Sequence, residues 1–415
     1  MKEVHLFIIW ENGRYKENEI IEDIKKNFSV LGMYNIKWNK FHSNLTRFYG
    51  VNLPIADIKE KHVGNGEFLL VVVEVENPKY ELRDTYQGTR IVNTNMFDKK
   101  QEYRKITGGG DRVHATNSEK ETNHDLTLLL GKSVEDYLKE LEKGKKVEIV
   151  NLERELIGAD GFATVKEMFY VLNNCTSYAI MRNYESLPEE IYNNEHNDID
   201  IICESQEEAI SVLNAEKVHE EDYRVQYKVK VEGKIANFDI RYVGDNYYYY
   251  KIEKEMIKNR ILNEKGFYTV SNEDYFYTLL YHAILNKPEY SEDYQTKLAG
   301  MNTIHGDRIK NLDYAIKVLN DWLIEKGYAI VKPVDRTVLF RNEVLEKFDE
   351  VLGIREIRIE EKMEYLEKER EDIELLKKAK QDFEDEVYRM ANSKSWKITK
   401  PLRDFTSMLK GNNNN

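Results

Sequence analysis

The stretch NNEHNDIDII, residues 193–202, sets Asp198 and Asp200 one residue apart inside an apolar run. On a strand, residues i and i+2 face the same way, so the two carboxylates project side by side, with Ile199, Ile201 and Ile202 on the core side and flanks. Carboxylates this close repel unless one is protonated or a cation lies between them. Mg²⁺, or Mn²⁺ in its place, meets that need, because it takes carboxylate oxygens and leaves positions for phosphate. A two-metal phosphoryl-transfer centre commonly takes a third carboxylate from a neighbouring strand. Asp239 in NFDIRYVG is such an acid, alone in an apolar run. Arg241 shares its strand face, placed either for a phosphate or to neutralise the acids. The plain alternative is the polar–apolar alternation of a half-buried strand.

The elements that must position these groups fall into three regions. Residues 1–146 open with the strand VHLFIIW, an amphipathic helix over ENEIIEDIKKNFSVLG, a strand near NIKWNKF and a central strand FLLVVVEVE. A glycine-rich loop then leads through His114 into a helix, and the order suits a ferredoxin-like α/β sandwich. Residues 147–340 run helix FATVKEMFYVLNN, strand SYAIMRN, the two-aspartate strand and helix SQEEAISVLNAE. A hairpin of YRVQYKVKV and KIANFDIRYVG turning at Glu232–Gly233 follows, and then mostly helix, including SNEDYFYTLLYHAILNK with Ser271 as its N-cap. Residues 341–415 read as a long charged helix. Leu366, Ile373 and Val387 share one heptad position and Leu376, Phe383 and Met390 another. Residues 359–390 therefore offer a route to a homo-oligomer, with packing along the chain's own domain as the alternative. The expected class is α+β or α/β: a ferredoxin-like first domain, a mixed-sheet middle domain with a helical end, and a C-terminal helix.

Over residues 160–290 the order of helix, SYAIMRN, polar loop, HNDIDIICE, helix, strand and NFDIR resembles the nucleotidyltransferase superfamily of the DNA polymerase β type. The resemblance implies Asp198, Asp200 and Asp239 as metal ligands, with Asp239 also acting on the attacking hydroxyl. Where that family has a Gly-Ser or Gly-Gly turn to hold phosphate, this chain has MRNYESLP, which leaves Arg182 and Asn183 as phosphate donors. Lys287, with His282 near the end of a helix, is a candidate nucleotide contact or simply a cation suited to the helix dipole. Divergent members of this type, such as phosphorylcholine-transferase-like proteins of surface-glycan pathways, transfer phospho-alcohols to sugars.

The stretch GGGDRVHATNSEKETNHDL resembles the active-site segment of nucleoside diphosphate kinases, and the likeness spans residues 1–131. It implies phosphorylation of His114, with Asp125 orienting the imidazole. Trp10-Glu11-Asn12-Gly13 stands where that family has Lys-Pro-Asp-Gly, and Asp111 where it has asparagine. Near the C-terminus, NSKSWKITKPLRDF carries Lys394, Lys397, Lys400 and Arg403 among Trp396, Leu402 and Phe405. It reads as a basic amphipathic segment for an anionic membrane surface or a partner groove. It also resembles a short tail of bacterial surface-polysaccharide glycosyltransferases.

Composition bounds the partners. A net charge of −13 argues against an extended nucleic-acid surface, while a metal ion and a few cations still admit a nucleotide. Only Cys175 and Cys203 are present, in no metal-type spacing, and the opening MKEVHLFIIWENGR reads as no secretory signal. The expected compartment is a reducing cytoplasm, with the tail as a route to the inner face of the membrane. The expectation is a Mg²⁺-dependent nucleotidyl- or phospho-transferase of surface-glycan assembly. It would take a nucleotide or nucleotide-sugar and a glycan or sugar-alcohol acceptor. Two alternatives remain: a His114 phosphotransferase, and a non-catalytic scaffold that binds a nucleotide-sugar and partners a glycosyltransferase.

Overall fold

Strand β1, Glu3–Ile9, is buried along its whole length. Leu6 and Ile8 enter one core while Phe7 and Ile9 enter another, so both faces of the strand are covered and the run needs no polar alternation. The computed structural model describes residues 2–50, 59–85, 88–141, 147–189, 191–192, 198–348 and, with gaps, 351–381. Helix α1, Glu17–Asn27, buries Ile20, Ile21 and Ile24, and it ends earlier than the sequence pattern suggests. Phe28 is already extended, and Ser29–Lys37 is strand β2, where Val30 pairs with Val73. The tertiary partner overrides the helical periodicity of that stretch. After helix α2, Phe41–Tyr49, come β3, Phe68–Val75, and a separate hairpin of β4, Tyr80–Thr85, and β5, Gly88–Asn93. Helix α3, Thr94–Ile106, then leads to β6, Val113–Ala115, and to α4, Glu119–Leu130.

The first sheet has the order β6–β1–β3–β2, antiparallel throughout, which is the ferredoxin-like arrangement. Beyond the short helix α5, Val134–Glu140, strand β7, Ile149–Glu153, adds to the edge of this sheet parallel to β2. The chain continues through α6, Val165–Cys175, into the second sheet. Its strands are β8, Tyr178–Ile180, β9, Ile199–Cys203, β10, Glu216–Lys217, β11, Gln226–Val231, β12, Lys234–Tyr242, β13, Ile261–Leu262, and β14, Tyr268–Thr269. Their order is β10–β11–β12–β9–β8–β14–β13, with β12 and β9 parallel inside a mixed sheet. The β11–β12 hairpin turns as expected: Glu232 and Gly233 both have positive φ, 52° and 75°, the signature of a two-residue turn matched to strand twist. Helix α7, Gln206–Leu213, joins β9 to β10, and α8, Tyr250–Lys258, α9, Asn272–Leu285, α10, Glu292–Met301, and α11, Leu312–Lys326, follow.

One apolar cluster joins the two sheets, containing Leu6, Trp10 and Phe68 together with Phe169, Ile201 and Phe238. The buried Arg47 guanidinium of α2 adds a polar clamp, donating to the carbonyls of Ser211 (2.8 Å) and Val212 (2.7 Å) at the end of α7. Residues Met1–Val351 accordingly form one compact unit, with position 146 inside it, and Leu352–Asn415 a second. In that second unit the described residues from 354 to 381 are helical, and Leu366, Ile373 and Leu376 are exposed. Val387, Phe383 and Met390 and the whole basic tail lie outside the described residues. Among those described, no helix is long and apolar enough to cross a membrane.

Helix α9 has a side-chain cap at its N-terminus. Ser271 Oγ accepts from the Asp274 N–H at 3.1 Å and donates to the Asp274 carboxylate at 2.6 Å. Ser271→Ala should therefore lower unfolding stability by about 1 kcal/mol, measured by urea titration, and leave ligand binding unaltered.

Candidate active site at the parallel strand pair

Parallel pairing of β9 with β12 sets Asp200 directly beside Asp239. Asp200 is buried, Asp239 is half-buried, and Asp198 is exposed just before β9 begins. Asp239 Oδ1 is buried without a hydrogen-bond partner among the described residues. Burial first, and then the negative charge of Asp200, push the Asp239 carboxyl up to about 6 against the opposing pull of Arg241. Asp198 is also raised, by partial burial and by Asp200.

Two guanidinium groups enter the acidic cluster. Arg182, just past β8, donates from Nη2 to Asp200 Oδ1 at 2.6 Å, and both side chains are about nine-tenths buried. Arg241 of β12 donates from Nη1 to Asp245 Oδ2 at 3.0 Å, also buried. Four carboxylates, Asp198, Asp200, Asp239 and Asp245, therefore face two arginines. With Asp200 and Asp245 matched, the charges of Asp198 and Asp239 are left, which suits one divalent cation.

The sequence shows no glycine turn ahead of Asp198, and the backbone supplies its geometry with another residue. Asn183 has φ +58°, a left-handed conformation that asparagine tolerates better than most residues. Its backbone N–H donates to the Tyr275 hydroxyl (3.2 Å) and its Oδ1 accepts from Lys297 (3.0 Å). The Asn183 side-chain oxygen and backbone N–H are thus already engaged, while Arg182 lies against the acids. Lys287 lies beyond α9, close enough to His282 to depress its basicity. His282 itself is no helix-end cation. Burial first, and then Arg182, Lys287 and Arg241, hold its imidazole well below the ordinary range and neutral.

The three aspartates do not converge as tightly as the sequence pattern suggests. Among the described residues, the one group of three or more His, Cys, Asp or Glu ligand atoms all within 4.8 Å is His114, Glu121 and Asp125. The reason is local. The strand begins at Ile199, so Asp198 sits off its end, and Arg182 rather than a third acid lies against Asp200.

That second group surrounds the histidine of the glycine loop. His114 Nε2 lies 3.0 Å from Asp125 Oδ2, and Asp125 Oδ1 lies 2.9 Å from His124 Nδ1. Burial pushes the Asp125 carboxyl up, but the two histidine hydrogen bonds outweigh it and hold it low. Phe48 and Tyr49 pack ring edges against His114, with centroids at 5.8 and 5.6 Å, and leave it buried. Lys59 and Lys100, each pushed down to about 8 chiefly by burial, share the neighbourhood with Arg104, Asp111 and Glu121. Lys59, Lys100 and Arg104 there face Asp111, Glu121 and Asp125, so the cluster around His114 is one of mixed charge. Sequence reading passed over the three cations. Lys100 and Arg104 at i, i+4 share one face of α3, which was the available signal, whereas Lys59 gave none. Asp245, Tyr247 and Tyr294 around the aspartate pair were missed as well; only Asp245, four residues after Arg241, offered a spacing to read.

No family model matches the chain, and no curated protein matches it. The resemblances to nucleotidyltransferases and to the glycosyltransferase tail therefore find no support in those comparisons. Among solved structures, a nucleoside diphosphate kinase of Aquifex aeolicus matches at 15% identity with a TM-score of 0.23, over 33% of this chain and 99% of that one. A likeness of that size decides nothing about chemistry.

Proposed function

We propose that the chain is a divalent-metal-dependent transferase of nucleotidyl or other phospho groups, working at the Asp200–Asp239 pair. One observation carries this reading: a buried carboxylate oxygen without a partner, Asp239 Oδ1, lies on the strand beside Asp200. An unpaired buried acid next to another acid is costly and fits a site built to take a cation. Asp200 and Asp239 would hold Mg²⁺ or Mn²⁺, with Asp198 at the rim. The ion when bound supplies charge neutralisation for phosphate oxygens and for the attacking hydroxyl. The chain's own residues do the rest. Arg182 and Arg241 donate N–H groups to phosphate oxygens, and Asp239 takes the proton of an acceptor hydroxyl as its oxygen attacks phosphorus in line and the leaving phosphate departs. A surface-glycan acceptor and a place at the inner membrane face rest on the tail sequence alone.

Calorimetric titration with Mn²⁺ tests the reading. Wild-type protein should bind Mn²⁺ and turn over nucleotide in its presence, and the double variant Asp200→Asn, Asp239→Asn should do neither. Intact Mn²⁺-dependent turnover in that variant overturns the proposal. A wild-type protein that shows no thermal shift with Mg²⁺ and nucleotides together supports the non-catalytic scaffold instead.

A second reading has its own observation. With Nε2 of His114 on Asp125, Nδ1 makes no hydrogen bond among the described residues, the state that phosphoryl transfer to a histidine requires. Incubation with labelled ATP would then leave acid-labile phosphate on the protein. The label should vanish in His114→Ala and fall about 10-fold or more in Asp125→Asn, which no longer fixes the tautomer. Absence of label on the wild type ends this reading.

A further inference from the structure

Both arginines of the aspartate site reach one aromatic ring. The Arg241 guanidinium lies 3.6 Å from the centroid of Tyr247 and the Arg182 guanidinium 5.6 Å from it. Each arginine gives one nitrogen to a carboxylate, and each keeps a buried N–H without a partner among the described residues: Nη1 of Arg182 and Nε of Arg241. An unmet N–H on a buried cation is costly until an acceptor takes it. The planar donor fork of arginine matches phosphate oxygens better than it matches water.

Tyr247, which carries both arginines, is itself held at its backbone and at its hydroxyl. Its backbone N–H donates to Asp245 Oδ1 at 2.9 Å, and its hydroxyl lies 2.5 Å from His282 Nδ1. Nε2 of His282 lies 3.2 Å from the Tyr294 hydroxyl. A neutral imidazole accepts at one nitrogen and donates at the other, so Tyr247, His282 and Tyr294 form one directed chain. The chain ties the loop after β12 to α9 and α10 and so fixes the ring against the two guanidinium groups.

We propose that Tyr247, anchored through His282 to Tyr294, is the positioning residue of an anion clamp, holding Arg182 and Arg241 for the phosphates of a nucleotide-type donor. The clamp rests on the Asp200–Asp239 reading and adds to it the part that selects a polyphosphate. Loss of the Tyr247 hydroxyl leaves the ring and both acids in place, so metal binding survives while the clamp loosens.

The test uses inorganic pyrophosphate and Mn²⁺ as probes of the full chain by calorimetry. Each protein is titrated with Mn²⁺ alone, and with pyrophosphate at saturating Mn²⁺ and without metal. Tyr247→Phe and His282→Gln should keep wild-type Mn²⁺ affinity and bind pyrophosphate about 10-fold more weakly, about 1.4 kcal/mol. Tyr294→Phe, which removes only the far anchor, should weaken it about threefold. The pair Tyr247→Phe, His282→Gln should be no weaker than either alone, as members of one chain are. Wild-type pyrophosphate affinity in Tyr247→Phe overturns the proposal. So does a parallel loss of Mn²⁺ and pyrophosphate binding, which a merely structural tyrosine would give. Failure of wild-type protein to bind Mn²⁺ sinks the metal site and not the clamp, which the metal-free pyrophosphate titrations then decide by the same 10-fold criterion.

Discussion

Replacing Asp239 by asparagine should make the metal-free protein more stable and its Mn²⁺-dependent turnover negligible. The two effects have one cause. Asp239 is half-buried beside Asp200 with one buried oxygen unpartnered among the described residues, and its carboxyl is raised from 3.8 to about 6. A carboxyl raised in the folded state binds its proton more tightly there than in the unfolded chain. Below about pH 4 both states are protonated and the site costs nothing. As pH rises from about 4 to about 6 the folded state loses stability, and above that the loss is constant at about 2–3 kcal/mol. Asparagine removes the charge and so removes this pH dependence. Urea unfolding in EDTA should show the variant and wild type close together at pH 4.5 and the variant ahead at pH 7.5. Saturating Mn²⁺ should reverse that order, because only the wild type gains binding energy in the folded state. Turnover should fall on the order of 10²–10³-fold or more, the scale of removing a directed electrostatic group from a transition state. A variant less stable than wild type at pH 7.5 without metal would show that Asp239 is a structural acid, and the active-site reading would fall with it.

How much of this site the sequence disclosed depends on the range of the interaction. Asp200 and Asp239 were legible because a strand's two-residue period and the order of elements are local properties. Their pairing across β9 and β12 followed from that order. Asp198 lies just outside that pairing, because strand ends are set by partners and β12 pairs from Phe238 with Ile199 onward. The ion pair of Arg182 with Asp200 and the shared histidine between Tyr247 and Tyr294 join residues far apart in the chain, and no spacing announces them. The run of four tyrosines, Tyr247 to Tyr250, divides between core and surface in a way that no spacing shows. Tyr247 and Tyr248 are buried while Tyr250 is exposed, as the turn into α8 dictates. In the first sheet, the doubly apolar β1 and β3 were plain, whereas β2 was half hidden inside a helix-like pattern. β7 carries Ile149, Val150 and Leu152 on a mostly exposed edge strand, so its apolar residues mark no core face.

Trp10→Lys should unfold the protein. Trp10 is fully buried, with ring centroids of Phe68 at 4.7 Å, Trp38 at 5.8 Å, Phe41 at 6.1 Å and Tyr49 at 6.3 Å. Deleting a buried indole costs about 3–5 kcal/mol through lost transfer and the cavity left behind. Placing an ammonium group among those rings adds several kcal/mol more, the cost of desolvating a charge inside an aromatic core. The sum is comparable to the whole stability of a typical domain, about 5–15 kcal/mol. Trp10→Phe is the control. The indole N–H is buried without a partner among the described residues, so phenylalanine removes an unmet donor and leaves a smaller void, costing about 1–2 kcal/mol. Far-UV circular dichroism should show a folded phenylalanine variant and an unfolded or aggregated lysine variant. The difference bears on His114 directly, because Phe48 and Tyr49 pack against both the indole and the imidazole. A stable lysine variant would mean that the side chain escapes past these rings toward His114, and that a phosphate could follow the same path. An unfolded one means that the wall beside His114 is core, so that any phosphate reaching its Nδ1 must come by way of Lys59, Lys100 and Arg104.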